Sequence, residues 1–371
     1  MNIKHVRGLC SLKRFNTKIT LVIVLVLVMG ILGGCSSAPA TPGWSSLSVV
    51  GGMLYSGSQA GRVYALDASS GAEIWRYPPA SEKKGLGPLF AKPVLLNGTL
   101  YIGSLDGHLY ALDAKTGVPQ WVFPSSGAIG PIHADAVIAD NTLYVCSNDK
   151  KIYAIDANTG AKKWEFTTGN WIWGRPFVAE GKVYVGSLDH RLYCLDAESG
   201  QKQWEFEAEG AFAGGPVVAG SLVYCGAFDG KLYALDAGSG QVRWEFKAGH
   251  WIWARPLIID DTVYAASLDK KLYALAAETG VKRWEFETAG MIRAAPAYAD
   301  GLLYVGTEAG SLHVLDSVSG VQKWVFDAGA PVLSSPVVAE GTVYISAFGD
   351  TIYALDAEAG VQRWSVALSK K

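Results

Sequence analysis

The chain repeats one pattern eight times, and this repetition limits its fold more than any other feature of the sequence. The pattern is Leu-Asp-Ala-x-x-Gly-x-x-x-Trp with a few substitutions, and every copy carries its glycine four positions before its tryptophan. From the third copy onward the tryptophans are 40 residues apart. The eight tryptophans are Trp75, Trp121, Trp164, Trp204, Trp244, Trp284, Trp324 and Trp364. A fixed period of this length is typical of repeat proteins in which each unit is one supersecondary element.

Each unit contains four short stretches with the composition of β-strands, separated by turn residues. In the fourth unit they are PFVAE, KVYVGS, RLYCLDA and QKQWEFEA, and none has a helical period. Four antiparallel strands in such a unit form the blade of a β-propeller. One four-stranded sheet leaves both faces open, whereas radially packed sheets cover each other. We therefore predict an all-β fold, a single eight-bladed β-propeller of four-stranded antiparallel blades over residues 44–371.

Three residues of the repeated pattern have structural explanations. The aspartate can accept hydrogen bonds from the turn that follows it, and the glycine can take a positive φ. The tryptophan, on the outer strand, can pack against the neighbouring blade. The sixth copy has Ala276 in place of the aspartate, so we expect this carboxylate to be structural and replaceable rather than catalytic.

The N-terminal segment has the features of a targeting sequence. Five basic residues and no acidic one lie in residues 1–18, and a 14-residue apolar run from Ile19 to Leu32 follows. That run is shorter than the roughly 20 residues that span a bilayer, and it leads into Leu-Gly-Gly-Cys35, which resembles a bacterial lipobox. We predict a lipoprotein signal peptide over residues 1–34, acylation of Cys35, and a tether over residues 35–43 that anchors an extracytoplasmic protein to the membrane. An uncleaved transmembrane anchor is the alternative.

The composition indicates an ordinary globular domain after this segment. Charged residues make up 18 % of the chain, the net charge is −2 and the pI is near 6.3, so nothing indicates a nucleic-acid-binding protein. Cys146, Cys194 and Cys225 all lie in apolar strand-like runs. We interpret them as buried small hydrophobic residues; a disulfide or a metal site is the alternative.

One motif occurs twice and in no other unit: GNWIWGRPF at 169–177 and GHWIWARPL at 249–257. Each copy is the crossing from the outer strand of one blade to the inner strand of the next, on a face that propellers commonly use for ligands. In an extended chain, alternation places two tryptophans and an arginine on one side. The two resulting stripes are Trp171, Trp173 and Arg175, and Trp251, Trp253 and Arg255.

The crossing between these stripes has small residues at the equivalent positions, Ala211, Ala213 and Gly215. In one interpretation the tryptophans lean into the space so left, with arginine stacked on tryptophan as a cation-π pair. In another the space is a groove for an anionic, partly flat ligand or a peptide carboxylate, and a third is a protein-docking patch. Arg293, which corresponds to Trp173 in the seventh unit, completes the candidate site.

A second feature of this face is His133, which stands next but one to Asp135. The pair could suggest catalysis, but no serine or cysteine stands at a suitable spacing. A simple hydrogen bond between the two side chains is the other interpretation.

The run Ala111-Leu-Asp113-Ala-Lys-Thr-Gly117-Val-Pro-Gln-Trp121 resembles the tryptophan-docking repeat of the PQQ-like β-propeller superfamily, PQQ being pyrroloquinoline quinone. The resemblance covers the whole predicted mature chain. With the lipobox and the blade count, the chain resembles the BamB-like lipoprotein branch, whose members are non-catalytic and help an outer-membrane machine to fold β-barrels. Quinoprotein dehydrogenases of the superfamily are longer and carry a vicinal cysteine pair and a calcium set of Glu, Asn and Asp. No adjacent cysteines occur here.

The resemblance implies a membrane-anchored, extracytoplasmic scaffold or assembly factor, not an enzyme, with a protein partner in the cell envelope. We expect a monomer that needs no cofactor or metal. The alternative is a ligand-binding or sensing propeller with an anionic or aromatic ligand in the Trp/Arg groove. A PQQ-dependent dehydrogenase is supported only by the repeat, because a fold does not carry its cofactor with it.

Overall fold

The computed structural model describes residues 46–368, which form eight four-stranded antiparallel sheets, each made of four consecutive strands. The first strands are β1 (Leu47–Val50), β5 (Val94–Leu96), β9 (Val137–Ala139), β13 (Phe177–Ala179), β17 (Val217–Ala219), β21 (Leu257–Ile259), β25 (Ala297–Ala299) and β29 (Val337–Ala339). The second strands are β2 (Met53–Ser56), β6 (Thr99–Gly103), β10 (Thr142–Cys146), β14 (Lys182–Gly186), β18 (Leu222–Gly226), β22 (Thr262–Ala266), β26 (Leu302–Gly306) and β30 (Thr342–Ala347).

The third strands are β3 (Val63–Asp67), β7 (Leu109–Asp113), β11 (Lys151–Asp156), β15 (Arg191–Asp196), β19 (Lys231–Asp236), β23 (Lys271–Ala276), β27 (Ser311–Asp316) and β31 (Thr351–Asp356). The fourth strands are β4 (Glu73–Tyr77), β8 (Pro119–Phe123), β12 (Lys162–Thr167), β16 (Lys202–Glu207), β20 (Val242–Lys247), β24 (Lys282–Glu287), β28 (Gln322–Asp327) and β32 (Gln362–Ala367). The predicted eight-bladed propeller is confirmed.

The burial of the strands follows their place in the blade. First strands of neighbouring blades contact one another, so they line the axis of the ring. Second and third strands are buried on both faces, whereas the fourth strands alternate between exposed and half-buried residues. Each blade interface therefore has its own apolar core, as between blades five and six, where Tyr224 and Trp244 pack on Val263 and Leu275.

A pair of aromatic side chains fastens each blade to the next. A tyrosine of the second strand donates its hydroxyl hydrogen to a backbone carbonyl of the following blade, at 2.9–3.2 Å in all eight interfaces. In six interfaces the indole of the repeated tryptophan donates to the same carbonyl, at 2.8–3.2 Å. The tyrosines are Tyr55, Tyr101, Tyr144, Tyr184, Tyr224, Tyr264, Tyr304 and Tyr344.

The repeated glycine lies on the face of the tryptophan of the preceding blade. Gly200 has φ +72°, and a Cβ atom there would lie 2.6 Å from Cδ2 of Trp164. In all eight copies the equivalent distance to a tryptophan ring is 2.6–2.8 Å. The glycine is therefore needed for two reasons, the backbone conformation and the close approach of the indole.

The repeated aspartate organises the turn between the third and fourth strands. The Asp196 carboxylate accepts hydrogen bonds from the backbone N–H of Glu198 and Ser199 and from the Ser199 hydroxyl, at 3.2, 2.8 and 2.7 Å. The bond from the Ser199 hydroxyl and those from the backbone hold the pKa of Asp196 below its usual value. Where Ala276 replaces the aspartate, the turn still closes through the 2.8 Å bond from Gly280 N to the Ala276 carbonyl. The prediction that this carboxylate is replaceable is confirmed.

Blades one and eight close the ring by face packing and hydrogen bonds, without sharing a sheet. Tyr344 and Trp364 of blade eight both donate to the carbonyl of Ala68, each at 3.1 Å. In return the Tyr64 hydroxyl donates to the carbonyl of Leu368 at 3.0 Å. The closing interface thus uses the same Tyr–Trp pair of hydrogen bonds as five of the other seven interfaces.

Cys146, Cys194 and Cys225 are buried and unbridged, which confirms them as small core residues and not a disulfide. Burial raises the pKa of the Cys194 thiol to about 11. The predicted signal peptide, Cys35 and the tether lie outside the described residues, as does Trp44. Within residues 46–368, no helix has the length and apolar character needed to cross a membrane.

We expect Gly200→Ala to destabilise the protein more than a glycine-to-alanine change at a position with a similar φ but no neighbouring indole. Gly181 is the control, because its φ is +70° but no atom lies within 4 Å of a Cβ built there. Gly181→Ala should lower the free energy of unfolding by about 1–2 kcal/mol through φ alone. Gly200→Ala should cost about 1–3 kcal/mol more, because the methyl group overlaps Trp164. Urea denaturation of both variants measures the difference, and equal losses would contradict the docking role.

Candidate functional site

The two tryptophan crossings have the predicted alternation. Ile172 and Ile252 are fully buried between blades, whereas the tryptophans and arginines of the stripes point to the other side and are partly exposed. The turn between the second and third strands fixes each crossing, since Leu188 N donates to the Trp171 carbonyl at 2.9 Å and Gly169 N to the Asp189 carboxylate at 2.6 Å. The same bonds recur in blade six. Both stripes are thus held on rigid backbone.

The two stripes meet each other. The rings of Trp173 and Trp253 are stacked, with centroids 5.7 Å apart and an interplanar angle of 28°. They meet across the crossing into blade five, where Ala213 is buried and a Cβ on Gly214 would lie 2.4 Å from the Trp253 carbonyl oxygen. The tryptophans therefore fill the space left by the small residues, as the packing interpretation predicts, and no open groove separates the two rings.

A continuous layer of rings extends from this stack. His133 lies between Phe90 and Trp173, at centroid distances of 6.1 and 6.4 Å. We call Phe90, His133, Trp173 and Trp253 the aromatic layer. Burial lowers the pKa of His133, which favours the neutral imidazole among its aromatic neighbours.

A second stack lies beside the first, since the ring centroids of Phe228 and Trp253 are 5.0 Å apart. Phe228 and Trp251 are nearly parallel, with centroids 4.3 Å apart, and a shallow pocket of about 210 Å³ lies beside them, lined by Lys247 and His250 among others. Trp171 is 39 % exposed and is the part of the blade-four stripe most open to solvent. Phe228 comes from a turn between second and third strands, which the stripe motif alone did not indicate.

The cation over the central stack is Arg293. Its guanidinium carbon lies 5.0 Å from the Trp253 ring centroid, and the side chain forms an ion pair with Glu308. Arg255, expected to stack on a tryptophan in the packing interpretation, lies instead over Phe177, at 5.4 Å. The cation-π partner of the stripe is thus supplied by the next crossing, which approaches Trp253 in the closed ring.

The arginines of the two stripes converge below the aromatic layer. A Cβ on Gly215 would lie 3.0 Å from Cγ of Arg175, so the Arg175 stem packs on this glycine. Arg255 Nε donates to the carbonyl of Pro216 at 3.2 Å. The two side chains therefore reach the same segment of blade five from the blades on either side of it.

Lys92 joins these two arginines, and we call Lys92, Arg175 and Arg255 the axial cation cluster. Burial lowers the pKa of Lys92, and the positive charges of Arg175 and Arg255 lower it further against the opposing effect of Asp135. Burial, with the charge of Arg175, lowers the pKa of Arg255 to about 10. Lys92 was not among the predicted site residues, although it stands two positions before the first strand of blade two and is followed by a proline, as both arginines are in their blades.

Asp135 does not form a pair with His133. Its carboxylate accepts a hydrogen bond from the backbone N–H of Lys92 at 2.7 Å, and His133 is held among rings, with no hydrogen bond to Asp135 in the described part of the chain. The simple hydrogen bond that the sequence suggested between the two side chains is thus absent from the structure. The arrangement gives no base placed next to a nucleophile.

The space between Trp173 and Trp253 does not admit a flat ligand such as a quinone. A flat ligand between two rings needs a ring separation of about 7 Å, twice the usual contact distance, whereas Trp173 and Trp253 already stack on each other. Among residues 46–368, no three His, Cys, Asp or Glu side chains are grouped as a metal site requires. The chemistry available at this face is aromatic contact and positive charge.

We expect Trp173 and Trp253 to be energetically coupled. In a double-mutant cycle with Trp173→Leu and Trp253→Leu, unfolding in urea should give a coupling energy of about 0.5–1.5 kcal/mol, the range for stacked aromatic pairs. Trp173→Leu combined with Trp121→Leu, on the outer strand of blade two, is the control cycle and should give a value near zero. A coupling near zero in both cycles would contradict the packing interpretation.

Comparison with solved structures places the fold among known propellers. The crystal structure of BamB from Moraxella catarrhalis is similar, with a TM-score of 0.68 and 21 % identity over 81 % of this chain and 93 % of that chain. The computationally designed Ika8 protein gives a TM-score of 0.74 and 16 % identity over 84 % and 96 %. A quinohemoprotein alcohol dehydrogenase from Pseudomonas putida HK5 gives 0.67 and 16 % over 84 % and 71 %. At these identities the likeness concerns the fold alone.

Sequence comparison identifies the family. No curated protein matches the chain. The family model described as outer membrane protein assembly factor BamB matches four overlapping stretches, residues 35–133, 124–211, 188–294 and 287–371. Together these stretches cover the whole propeller. The chain therefore belongs to the BamB family of PQQ-like β-propellers.

Proposed function

We propose that this protein is a membrane-anchored, extracytoplasmic scaffold that assists the assembly of envelope proteins and is not an enzyme. The observation that carries the proposal is the family match, which extends from residue 35 to residue 371. It begins at the predicted acylation site, Cys35. The family is described as an outer membrane protein assembly factor, and we extend that role to this chain.

The face that carries the crossings supports a role in protein binding. Three large apolar side chains are exposed there: Trp171 at 39 %, Met291 at 37 % and Phe348 at 40 %. They belong to the crossings into blades four and seven and to a turn between second and third strands in blade eight. Exposed apolar side chains on a rigid framework are typical of binding surfaces, because they bury area at little entropic cost.

The proposed scaffold role requires no conformational change of the propeller. The closed ring holds each crossing at a fixed position, so a partner meets a preorganised surface and little ordering free energy is spent on binding. A dehydrogenase is not proposed, because the stacked rings of Trp173 and Trp253 leave no space for a quinone between them.

The anchor predicts a clear result for Cys35→Ala. In cells grown with radiolabelled palmitate, the wild-type protein should carry the label and sediment with membranes, because acyl chains at the N-terminus bind the bilayer. The Cys35→Ala variant should lose the label. Cys10→Ala is the control and should be labelled like the wild type. Equal labelling of all three proteins would contradict acylation at Cys35.

The scaffold role predicts a partner that depends on the crossing face. Tagged full-length protein, captured from solubilised envelopes, should retain a component of the β-barrel assembly machinery. The double variant Trp171→Ser/Met291→Ser should lose at least about tenfold of it, since such anchors typically contribute more than 1 kcal/mol each. Val318→Ser is the control, because Val318 is 86 % exposed but lies on a turn at the opposite end of the blades. Capture of no such component, or equal loss in the control, would contradict the proposal.

A further inference from the structure

One position in each blade lies at the entry to the first strand, one residue before it in blade one and two residues before it in the other blades. Since the first strands of neighbouring blades contact one another around the axis, these positions form a ring. Four of the eight residues are charged. The ring consists of Ser46, Lys92, Asp135, Arg175, Gly215, Arg255, Ala295 and Ser335.

The ring contains three cations and one carboxylate, and its charges are not balanced. Within residues 46–368, Lys92, Arg175 and Arg255 form no ion pair, although fifteen other pairs of a lysine or arginine with a carboxylate occur there, including Arg293 with Glu308. The three cations repel one another at half-buried positions, where water screens them poorly. Such an arrangement is unfavourable unless an anion accompanies it.

The donors of the cluster are also unused. Arg175 Nε is buried and has no hydrogen-bond partner. Arg255 uses only its Nε, on the carbonyl of Pro216, and the terminal nitrogens of both guanidinium groups and Nζ of Lys92 donate to no group in the described residues. A buried donor without a partner costs free energy, and such groups are satisfied in binding sites when the ligand arrives.

We propose that the axis of the propeller binds a small dianion with carboxylate or phosphate oxygens at Lys92, Arg175 and Arg255. The planar guanidinium groups match such oxygens in bidentate geometry, and Lys92 adds a point charge. With Asp135 in the ring the net charge is +2, so a dianion neutralises it. This site lies below the aromatic layer, not between the tryptophans, and it goes beyond the scaffold role.

The aromatic layer limits the size of the ligand that the axial cation cluster can bind. Trp173 and Trp253 precede Arg175 and Arg255 by two residues in their crossings, and the alternation of the chain places the stacked rings on the same side as the cations and next to them. Apolar cover lowers the local dielectric constant and strengthens the attraction between the cations and an anion. It also excludes a bulky ligand from that side.

The experiment uses the full-length protein in detergent, with phosphate and succinate as separate probes and chloride at equal ionic strength as the reference. Calorimetric titration should detect binding of at least one probe, and that probe should raise the unfolding temperature relative to chloride. Binding of phosphate alone assigns a phosphate-type ligand, and binding of succinate alone a dicarboxylate. No binding and equal unfolding temperatures in all three salts would overturn the proposal.

Variants locate the site. Lys92→Gln, Arg175→Gln and Arg255→Gln should each weaken binding by about tenfold or more, the usual effect of losing a charge-assisted hydrogen bond. Arg243→Gln is the matched control, because Arg243 lies on an outer strand and Asp236 already balances its charge, and it should bind like the wild type. Unchanged binding in the three cluster variants would overturn the assignment.

Stability in chloride separates loss of binding from misfolding. Because the three cations repel one another, Arg175→Gln should unfold at the same temperature as the wild type or higher when no dianion is present. Lower stability of Arg175→Gln in chloride, with binding retained, would show that the arginine only packs. The capture experiment that tests the scaffold role depends on Trp171 and Met291, not on the axial cation cluster. The scaffold proposal and the anion-binding proposal can therefore fail independently.

Discussion

The fold depends on one contact, a tryptophan ring laid on a glycine of the next blade. The glycine leaves room for the indole, and in six interfaces the indole then hydrogen-bonds a carbonyl of the same turn, beside the tyrosine hydroxyl. A four-stranded blade cannot cover its own faces, so this contact, made eight times, turns separate sheets into one body. It even closes the ring between blades one and eight, where Trp364 donates to Ala68.

Because the docking contacts hold the blades from the outer strands, the crossings near the axis are free to differ. The turn bonds fix the backbone of the crossings. The residues of the stripes and their equivalents in the other crossings, however, range in size from Gly215 to Trp173 and Arg175. Two consequences follow at this face. Large aromatic residues from blades four and six pack against each other over the small residues of blade five, and cations from blades two, four and six gather at the axis.

The packed aromatic residues and the axial cations are compatible with each other and with a scaffold role. The aromatic layer rigidifies the central part of the face, and the exposed side chains of Trp171 and Met291 lie farther out. The axial cations are separate from that surface, so an anion bound there would stabilise the ring without blocking a partner. The fold itself is shared with a dehydrogenase of known structure, and function must be argued from the site rather than from the propeller.

The sequence alone determined the number of blades, the strand order and the roles of the repeated Asp, Gly and Trp, because these follow from local periodicity, and the replaceable position at Ala276 was visible in it. It also predicted the side-chain alternation of both stripes. Only the tertiary structure decided that Trp173 meets Trp253, that Lys92 joins Arg175 and Arg255, and that Arg293 rather than Arg255 covers the tryptophan. The physical reason is that these residues lie in different blades, and their distances depend on the radius of the closed ring, which no local pattern specifies.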